Sequence, residues 1–295
     1  MEIKGIITAM VTPFDENQKV NEKAARQLID YLIEKGVSGL FILGSNGEFH
    51  VLSDEEKVAF AKVVVEHVNH RVPVYVGAGA CSTQETIKLA KQMEAIGADA
   101  LSVISPYFIA PTQQELANHY RRVAEAVNIP IIMYNIPKNT GVNIEPATVK
   151  SLIGVKNIAG IKDSSGNMEN MQGYIDAAKG SDFVVLVGSD SKILPALKIG
   201  VAGAIAGTSN VITELDVSIY ENFLKGDLEA AQKAQEDIDV LRGVLKLGTV
   251  PSVMKRAVTL MGIDIGDARY PVEKLPKEVD EKIKEALNFY GLYEE

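Results

Sequence analysis

The sequence contains very little cysteine, since Cys81 is the single one in 295 residues. One cysteine cannot form an internal disulfide bond, and Cys81 has no cysteine partner at the spacing that zinc sites use. The histidines are scattered: His67 and His70 lie three residues apart on one helical pattern, but no third metal ligand accompanies them. We therefore expect no metal site, and we interpret these two histidines as part of an exposed helical surface.

The sequence also lacks long apolar runs and any excess of positive charge. No stretch approaches the roughly 20 apolar residues of a membrane-spanning helix, and the first residues do not follow the basic-then-apolar plan of a signal peptide. Thirty lysines and arginines stand against 39 aspartates and glutamates, which gives a formal net charge of -9. We expect neither a nucleic-acid partner nor a membrane partner. We expect the protein to be located in the cytoplasm.

The sequence does contain a regular alternation of short apolar runs with longer segments of helical period. Helical patterns cover residues 21–35, 53–68, 83–96 and 113–127, and Ser53 and Thr83 are the predicted capping residues of two of them. The apolar runs predict eight strands, at residues 6–11, 39–43, 73–77, 100–104, 130–134, 158–162, 183–187 and 203–206.

Eight strand-helix units predict an α/β fold in which a parallel sheet closes into a (β/α)8 TIM barrel. An open doubly wound sheet shares the alternation, but it usually has a glycine-rich turn after its first strand, and residues 8–14 contain no glycine. Beyond Gly207 the pattern is helical, over residues 214–224, 228–247, 250–260 and 276–290. We therefore predict a barrel over residues 1–224 and a C-terminal helical region, residues 225–295, packed on it.

Lys162 ends the sixth predicted strand, between the apolar residues 158–161 and the polar residues 163–166. A lysine at a strand end is ordinarily solvated, with its stem along the core and its amine in water. A lysine held against apolar surroundings instead loses part of the hydration that favours its charged form. Its amine can then attack a ketone carbon and form a Schiff base.

The other unusual residues also follow predicted strands, and in a parallel barrel the loops after the strands share one face. Taken singly, each of these residues has a packing, turn or capping explanation. Together they predict a nucleophilic amine, a phenol, hydroxyl groups and backbone donors around one bowl-shaped site. They are Gly44 to Glu48, Tyr107, Tyr134, Lys162, Ser164, Gly188 to Ser191, Gly207 and Thr208.

Three linked motifs carry a resemblance to a known family: Gly44-Ser45-Asn46-Gly47-Glu48, Tyr134-Asn135-Ile136-Pro137 and Gly160-Ile161-Lys162-Asp163. In this order and spacing they closely resemble the pyruvate-dependent class I aldolases and lyases of the dihydrodipicolinate synthase and N-acetylneuraminate lyase family. The resemblance extends from Gly5 to the segment around Arg269 and Pro271. It implies a (β/α)8 barrel with a C-terminal helical extension, assembled as a homotetramer of tight dimers, and no metal or organic cofactor.

The resemblance also implies roles for individual residues. Lys162 would form an imine with the keto carbon of pyruvate or a larger 2-keto acid, and the iminium would accept electrons when a carbon–carbon bond is made or broken. Tyr134 would transfer protons during these steps. Ser45, together with the backbone NH groups of Ser45 and Asn46, would bind the carboxylate of the keto acid.

Departures from the family pattern bear on the second substrate. Synthases of the lysine pathway have two threonines where this chain has Ser45 and Asn46, and an arginine where it has Asn139. Where this chain has Phe108, they have a second tyrosine that reaches across the dimer into the neighbouring site. Asn139 cannot make a bidentate, charge-assisted contact, although Lys138 offers a charge one residue earlier. Phe108 has no proton to pass.

N-acetylneuraminate lyases carry a glutamate at Ser191, whereas the stretch Gly47-Glu48-Phe49 is similar to the aldolases that cleave 2-keto-3-deoxy sugar acids. The leading hypothesis is therefore an aldolase or lyase that cleaves or forms a 2-keto-3-deoxy sugar acid from pyruvate and an aldehyde. Its catalytic residues would be Lys162, Tyr134 and Ser45, and its substrate-binding residues Asn46, Tyr107, Ser164, Gly188, Asp190, Ser191, Gly207 and Thr208.

Three other functions stay open. The chain could be a 4-hydroxy-tetrahydrodipicolinate synthase, which condenses pyruvate with aspartate semialdehyde. It could be a dehydratase, which would share the lysine and the tyrosine and break a different bond of the imine. It could also be a non-catalytic barrel that binds a keto acid, with Lys162 holding the ligand by charge alone.

Overall fold

The computed structural model describes residues 2–293. Eight parallel strands form a closed barrel in chain order, with the last strand paired to the first. The predicted (β/α)8 barrel is therefore confirmed. The strands are β1 (Gly5–Ala9), β2 (Gly39–Ile42), β3 (Val74–Gly77), β4 (Ala100–Ile104), β5 (Ile131–Asn135), β6 (Ile158–Asp163), β7 (Val184–Val187) and β8 (Gly203–Ala206).

The first strand is shorter than its apolar run predicts, because it ends at Ala9 and not at residue 11. The backbone NH of Val11 donates to the side-chain Oδ1 of Asn210 at 3.1 Å. Asn210 also donates to the carbonyl of Ala9 at 2.8 Å. The Asn210 side chain, which follows β8, thus bonds the backbone NH of Val11 and the carbonyl of Ala9. In a longer strand these backbone groups would bond a neighbouring strand instead.

The helices lie outside the barrel, and the end of each strand leads into the next helix. Barrel helices are α1 (Glu22–Glu34), α2 (Asp54–Val68), α3 (Thr83–Ala95), α4 (Gln113–Ala126), α5 (Pro137–Thr140), α6 (Pro146–Leu152), α7 (Met168–Ala178), α8 (Ile193–Ile199) and α9 (Thr213–Lys225). The C-terminal helices are α10 (Leu228–Leu245), α11 (Ser252–Leu260) and α12 (Lys277–Phe289). Within the described part of the chain, every helix falls short of the length and apolarity that a bilayer-crossing helix requires.

Of the two predicted capping residues, Ser53 is confirmed and Thr83 is wrong by one position. Ser53 caps α2 in a capping box: its hydroxyl accepts from the backbone NH of Glu56, whose carboxylate accepts from the NH of Ser53. The cap of α3 is Ser82 and not Thr83, since Ser82 is the residue whose hydroxyl accepts from the NH of Glu85. Thr83 already lies inside the helix, where its hydroxyl bonds Nδ1 of His119 at 2.9 Å.

The core has two layers, because successive side chains of a strand point to opposite sides of the sheet. Ile161 of β6 packs outward, in the large layer between sheet and helices. Ile132 and Tyr134 of β5 point into the barrel, where Lys162 of β6 joins them at the carboxyl ends of the strands. The interior layer is filled by Ile7, Ala9, Phe41, Tyr75, Ala100, Ile104, Ile132, Tyr134, Leu186 and Ile205.

The C-terminal helices pack directly on the barrel, with α10 against α8 and α9 and with α12 against α10 and α11. Gln235 of α10 fixes the loop after β7, because its Oε1 accepts from the NH of Leu194 at 2.8 Å and its Nε2 donates to the carbonyl of Asp190 at 3.0 Å. The boundary predicted between residues 224 and 225 lies at the end of α9, the helix of the eighth unit.

Candidate active site

Lys162 and Tyr134 are paired residues on adjacent strands, β6 and β5. The lysine is 4% exposed. Its Nζ lies 4.2 Å from the centroid of the Tyr134 ring and 4.8 Å from that of Phe41. The faces of these two rings stabilise its charge, and the Asp190 carboxylate lies close enough for its charge to interact with that of Lys162. The amine therefore lies in the apolar surroundings that the sequence predicts.

Ser45 lies next to the Tyr134 phenol, and its Oγ is 3.4 Å from the phenol oxygen. Ser45 belongs to the turn that follows β2, which is closed by a hydrogen bond from the NH of Glu48 to the carbonyl of Ser45 at 3.2 Å. The backbone NH groups of Ser45 and Asn46 have no acceptor among residues 2–293. The turn thus presents a hydroxyl and two free NH donors beside the phenol and the amine.

Two glycines make room for these groups. A Cβ at Gly188 would lie 2.1 Å from Oγ of Ser164 and 2.7 Å from Cε of Lys162. A Cβ at Gly207 would lie 2.7 Å from the side-chain nitrogen of Asn46. Real Cβ atoms do not approach other atoms this closely, so both positions require glycine while the neighbouring side chains keep their places.

Asp190 joins the loops after β7 and β8. Its two carboxylate oxygens accept from the backbone NH groups of Gly207 at 3.0 Å and Thr208 at 3.1 Å. Burial raises the pKa of Asp190, while these two NH groups oppose the rise by stabilising the carboxylate. The aspartate lines the site and also fixes the backbone that carries Gly207.

The structure does not bring the side chain of Thr208 to the site. Its hydroxyl donates to Oδ2 of Asp216 at 2.7 Å, and both residues are fully buried. A short 3-10 helix starts at Thr208 and directs the side chain toward α9. Burial raises the pKa of Asp216 well above its ordinary value, and the neighbouring Asp190 adds to the shift. Thr208 acts in this fold through its backbone NH on Asp190.

Asn135 and Asp163 support the two strand ends from the outer side of the barrel. Asn135 directly follows Tyr134, and Asp163 directly follows Lys162. Asn135 Nδ2 donates to Asp163 Oδ1 at 2.9 Å. Ser165 adds a hydroxyl bond to Asp163 Oδ2 at 2.7 Å. Asp163 is fully buried, and burial raises its pKa.

Tyr107 follows β4 and packs edge to face on Phe49, with 5.9 Å between the ring centroids. Burial raises the pKa of its phenol to about 12, and the adjacent Cys81 contributes in the same direction. The next residue, Phe108, has a positive φ of 78°, and it turns outward with 90% of its surface exposed. Ile109 is also exposed, at 74%.

The predicted site residues, with Thr208 as the exception, line one cavity of about 1070 Å³ at the carboxyl ends of the strands. The structure thus places the amine, the phenol and the hydroxyl groups around a common space. The residues concerned are Ser45, Asn46, Tyr107, Tyr134, Lys162, Ser164, Gly188, Asp190, Ser191 and Gly207.

The outer wall of this cavity comes from the C-terminal helical region, and the sequence patterns do not predict it. Three cations also line the rim: Lys138, Lys192 and Arg242. Arg242 pairs with Asp239 on its own helix at 3.1 Å, and such exposed pairs contribute little. The one feature of the sequence that indicates close packing of this region on the barrel is the absence of a linker before residue 228. The C-terminal wall comprises Arg242, Leu245, Thr249, Val250, Pro251, Val253 and Met254.

A buried lysine amine beside a phenol, at the carboxyl ends of barrel strands, is typical of class I aldolases. The chain belongs to the dihydrodipicolinate synthetase family, whose sequence profile matches residues 2–289. This result confirms the resemblance carried by the three motifs. The family's enzymes are class I, pyruvate-dependent carbon–carbon lyases.

Individual relatives match over nearly their whole length. The chain is 40% identical, over 284 residues, to the 4-hydroxy-tetrahydrodipicolinate synthase of Archaeoglobus fulgidus, covering 96% of this chain and 97% of that protein. Its fold matches the dihydrodipicolinate synthase DapA-2 of Bacillus anthracis with a TM-score of 0.94, 32% identity and 98% coverage of both chains. It also matches YagE, a prophage protein of the same family from E. coli K12 solved with pyruvate, with a TM-score of 0.94, 32% identity and coverage of 99% and 100%.

Proposed function

We propose that this protein condenses pyruvate with aspartate semialdehyde through a Schiff base on Lys162. The observation that carries the proposal is the shared cavity of the Lys162 amine, the Tyr134 phenol and the Ser45 turn. The similarity to 4-hydroxy-tetrahydrodipicolinate synthases favours this reaction over the sugar-acid cleavage that was the leading hypothesis from the sequence.

The first half of the reaction uses pyruvate alone. The Lys162 amine adds to the keto carbon, and loss of water from the carbinolamine gives an iminium. Loss of a proton from the methyl group then gives an enamine, which is the carbon nucleophile. The Tyr134 ring lies 4.2 Å from the amine, and its phenol transfers the protons of the carbinolamine oxygen, with Ser45 as its hydrogen-bond partner.

The free NH groups of Ser45 and Asn46 bind the carboxylate of pyruvate, which orients the keto carbon toward Lys162. In the second half, the enamine carbon attacks the aldehyde of the semialdehyde: the new carbon–carbon bond forms, the carbonyl π bond breaks, the iminium on Lys162 is restored, and the aldehyde oxygen takes a proton from Tyr134. Water or the product's own amine then releases Lys162 from the imine.

The carboxylate of the second substrate requires a cation, and Asn139 offers none. We assign this carboxylate to the rim of the cavity, where Lys138, Lys192 and Arg242 are located. Among these, Arg242 has the planar guanidinium that binds a carboxylate through two parallel hydrogen bonds. Replacing Arg242 by Gln should therefore raise the KM for the semialdehyde and leave the binding of pyruvate unchanged.

A second candidate is cleavage of a 2-keto-3-deoxy sugar acid. It is favoured by the neutral Asn139 at the cavity wall and by the hydroxyl groups of Ser164 and Ser191 that line it. Phe108 also lacks the hydroxyl group of the synthase pattern. These residues suit a polyhydroxylated chain better than a second carboxylate.

A coupled assay separates the two candidates. Product formation from pyruvate and aspartate semialdehyde is compared with pyruvate release from 2-keto-3-deoxygluconate, using kcat/KM for each. We expect the condensation to be faster by at least about tenfold, a difference of about 1.4 kcal/mol in transition-state stabilisation. A higher value for the sugar acid would establish the second candidate and refute the first.

Borohydride trapping tests the binding-barrel alternative. Reduction in the presence of pyruvate should leave a pyruvyl adduct on Lys162, located by peptide mass mapping. A protein that binds keto acids by charge alone forms no imine and would remain unmodified.

We also propose that the protein assembles as a homotetramer built from tight dimers. Exposed Phe108 and Ile109, directly after the cavity residue Tyr107, support a dimer contact next to the site. Sedimentation velocity of the protein and of a Phe108→Asp/Ile109→Asp variant tests this, since the variant should be smaller. The cytoplasmic location stays a prediction from the sequence.

A further inference from the structure

Lys255 of α11 is a fully buried lysine outside the cavity. Its ammonium donates to the carbonyl of Thr12 at 2.9 Å, the carbonyl of Asp267 at 2.7 Å and Oε1 of Glu48 at 3.1 Å. It also lies 4.1 Å from the centroid of the Phe14 ring. One side chain of the C-terminal region therefore binds the loop after β1, the turn after β2 and a segment near the chain's end.

Glu48 closes the turn that carries Ser45 and Asn46. It is buried, with a left-handed backbone at φ 55°, and its NH donates to the carbonyl of Ser45. Its second oxygen accepts from the NH of Arg269 at 2.8 Å. Both carboxylate oxygens are thus engaged on the side of the turn that faces away from the cavity.

Further contacts confine the same turn. The Thr12 hydroxyl donates to the carbonyl of Gly47 at 2.7 Å, and a Cβ at Gly47 would lie 2.9 Å from the backbone nitrogen of Leu43. The Arg269 guanidinium binds the carbonyl of Val51 at 3.0 Å, just beyond the turn. The turn is held from behind by groups that do not reach the substrate.

A buried ion pair is a costly way to stabilise a fold, because well-packed apolar residues of similar size are often as stable. Its specific effect is geometric, since an ammonium with three fixed acceptors allows one position for Glu48. Burial lowers the pKa of Lys255 to about 8, although the Glu48 charge opposes the shift. This unfavourable burial of charge occurs directly behind the turn that offers two free NH groups.

We propose that Lys255 is a positioning residue for the keto-acid carboxylate. Through Glu48 it holds the Ser45–Asn46 NH groups at the spacing that a carboxylate requires, so the C-terminal region controls the affinity for pyruvate. The proposal rests on the proposed function in one respect: pyruvate is taken to bind as an imine of Lys162 with its carboxylate on this turn.

The test measures the pyruvate concentration that gives half-maximal borohydride trapping on Lys162. Lys255→Met should raise this concentration by about tenfold or more, corresponding to about 1.4 kcal/mol. At saturating pyruvate the extent of trapping should still reach that of the wild type. Arg256→Met is the matched control, because Arg256 is the next residue of α11 and pairs with Asp280 on α12 at a distance from the turn. It should leave the half-maximal concentration within about twofold.

A folded Lys255→Met protein with unchanged half-maximal pyruvate, or an equal shift in Arg256→Met, would overturn the proposal. If Lys255→Met does not fold, the double variant Lys255→Met/Glu48→Gln removes both charges and leaves neither one buried alone. The double variant should show the same rise in half-maximal pyruvate, and wild-type behaviour would refute the positioning role. Absence of any adduct in the wild type would instead refute the proposed function itself.

Discussion

The side chains of Asn135 and Asp163 join β5 and β6 by a 2.9 Å hydrogen bond, one residue beyond the facing residues Tyr134 and Lys162. The bond lies behind the cavity, where it fixes how the two strand ends meet. Asn135→Ala should therefore lower kcat by about tenfold and destabilise the protein by about 1–3 kcal/mol, since a buried acceptor loses its donor. Thermal unfolding and steady-state kinetics check this. Gln172→Ala, at a half-buried position on α7, should change neither.

Lys162 is the proposed nucleophile, and its removal should be decisive. Lys162→Ala should abolish turnover and borohydride trapping, while the melting temperature stays equal or rises because a buried amine has been removed. The exposed Lys156→Ala should retain both activities. Substantial turnover by Lys162→Ala would contradict the Schiff-base assignment.

Removing the phenol hydroxyl should separate chemistry from binding. Tyr134→Phe keeps the ring that packs on Lys162 and Phe41, so the half-maximal pyruvate in trapping should change little. Turnover should fall by about 10²- to 10⁴-fold, the usual contribution of a general acid–base group. Equal losses in both measurements would identify the phenol as purely structural.

Adding one methyl group at Gly188 should displace the amine. A Cβ there would lie 2.7 Å from Cε of Lys162, so Gly188→Ala should lower kcat by at least about tenfold, which equals about 1.4 kcal/mol in the barrier. Gly243→Ala is a good control, because no atom lies within 4 Å of the added Cβ. On α10 this control should leave activity unchanged and stabilise the helix by about 0.5–1 kcal/mol.

The buried His119 predicts a pH dependence of stability. Burial lowers its pKa from 6.5 to about 4, so the unfolded chain takes up a proton at a higher pH than the folded protein does. The stability present above pH 6.5 should therefore be lost as the pH falls toward 4, by roughly 3 kcal/mol in total. His119→Gln should show a shallower decline in chemical unfolding between these pH values. The exposed His70→Gln should follow the wild type.

The barrel and most of the site could be predicted because they depend on local patterns. Each strand is a short apolar run, and Lys162, Tyr134 and Ser45 lie where such runs end. Once the strands are known to be parallel, their ends must share one face. The family motifs then predicted the imine chemistry.

The remaining features depend on contacts between distant parts of the chain. Glu48 and Lys255 are 207 residues apart, and neither segment shows in its sequence that it binds the other. The direction of the Thr208 side chain is set by the 3-10 turn after β8 and by its partner Asp216. The position of Arg242 on the rim depends on how α10 packs on the barrel, which helical periodicity does not specify.

The outer wall of the cavity comes from α10, α11 and the loop between them, so under the proposed function substitutions in this wall would change the choice of aldehyde and leave the strand residues untouched. Exchanging residues 242–254 between related enzymes should transfer partner preference as a unit. A laboratory library confined to this wall would explore new carbon–carbon bond formations while Lys162 and Tyr134 stay unchanged.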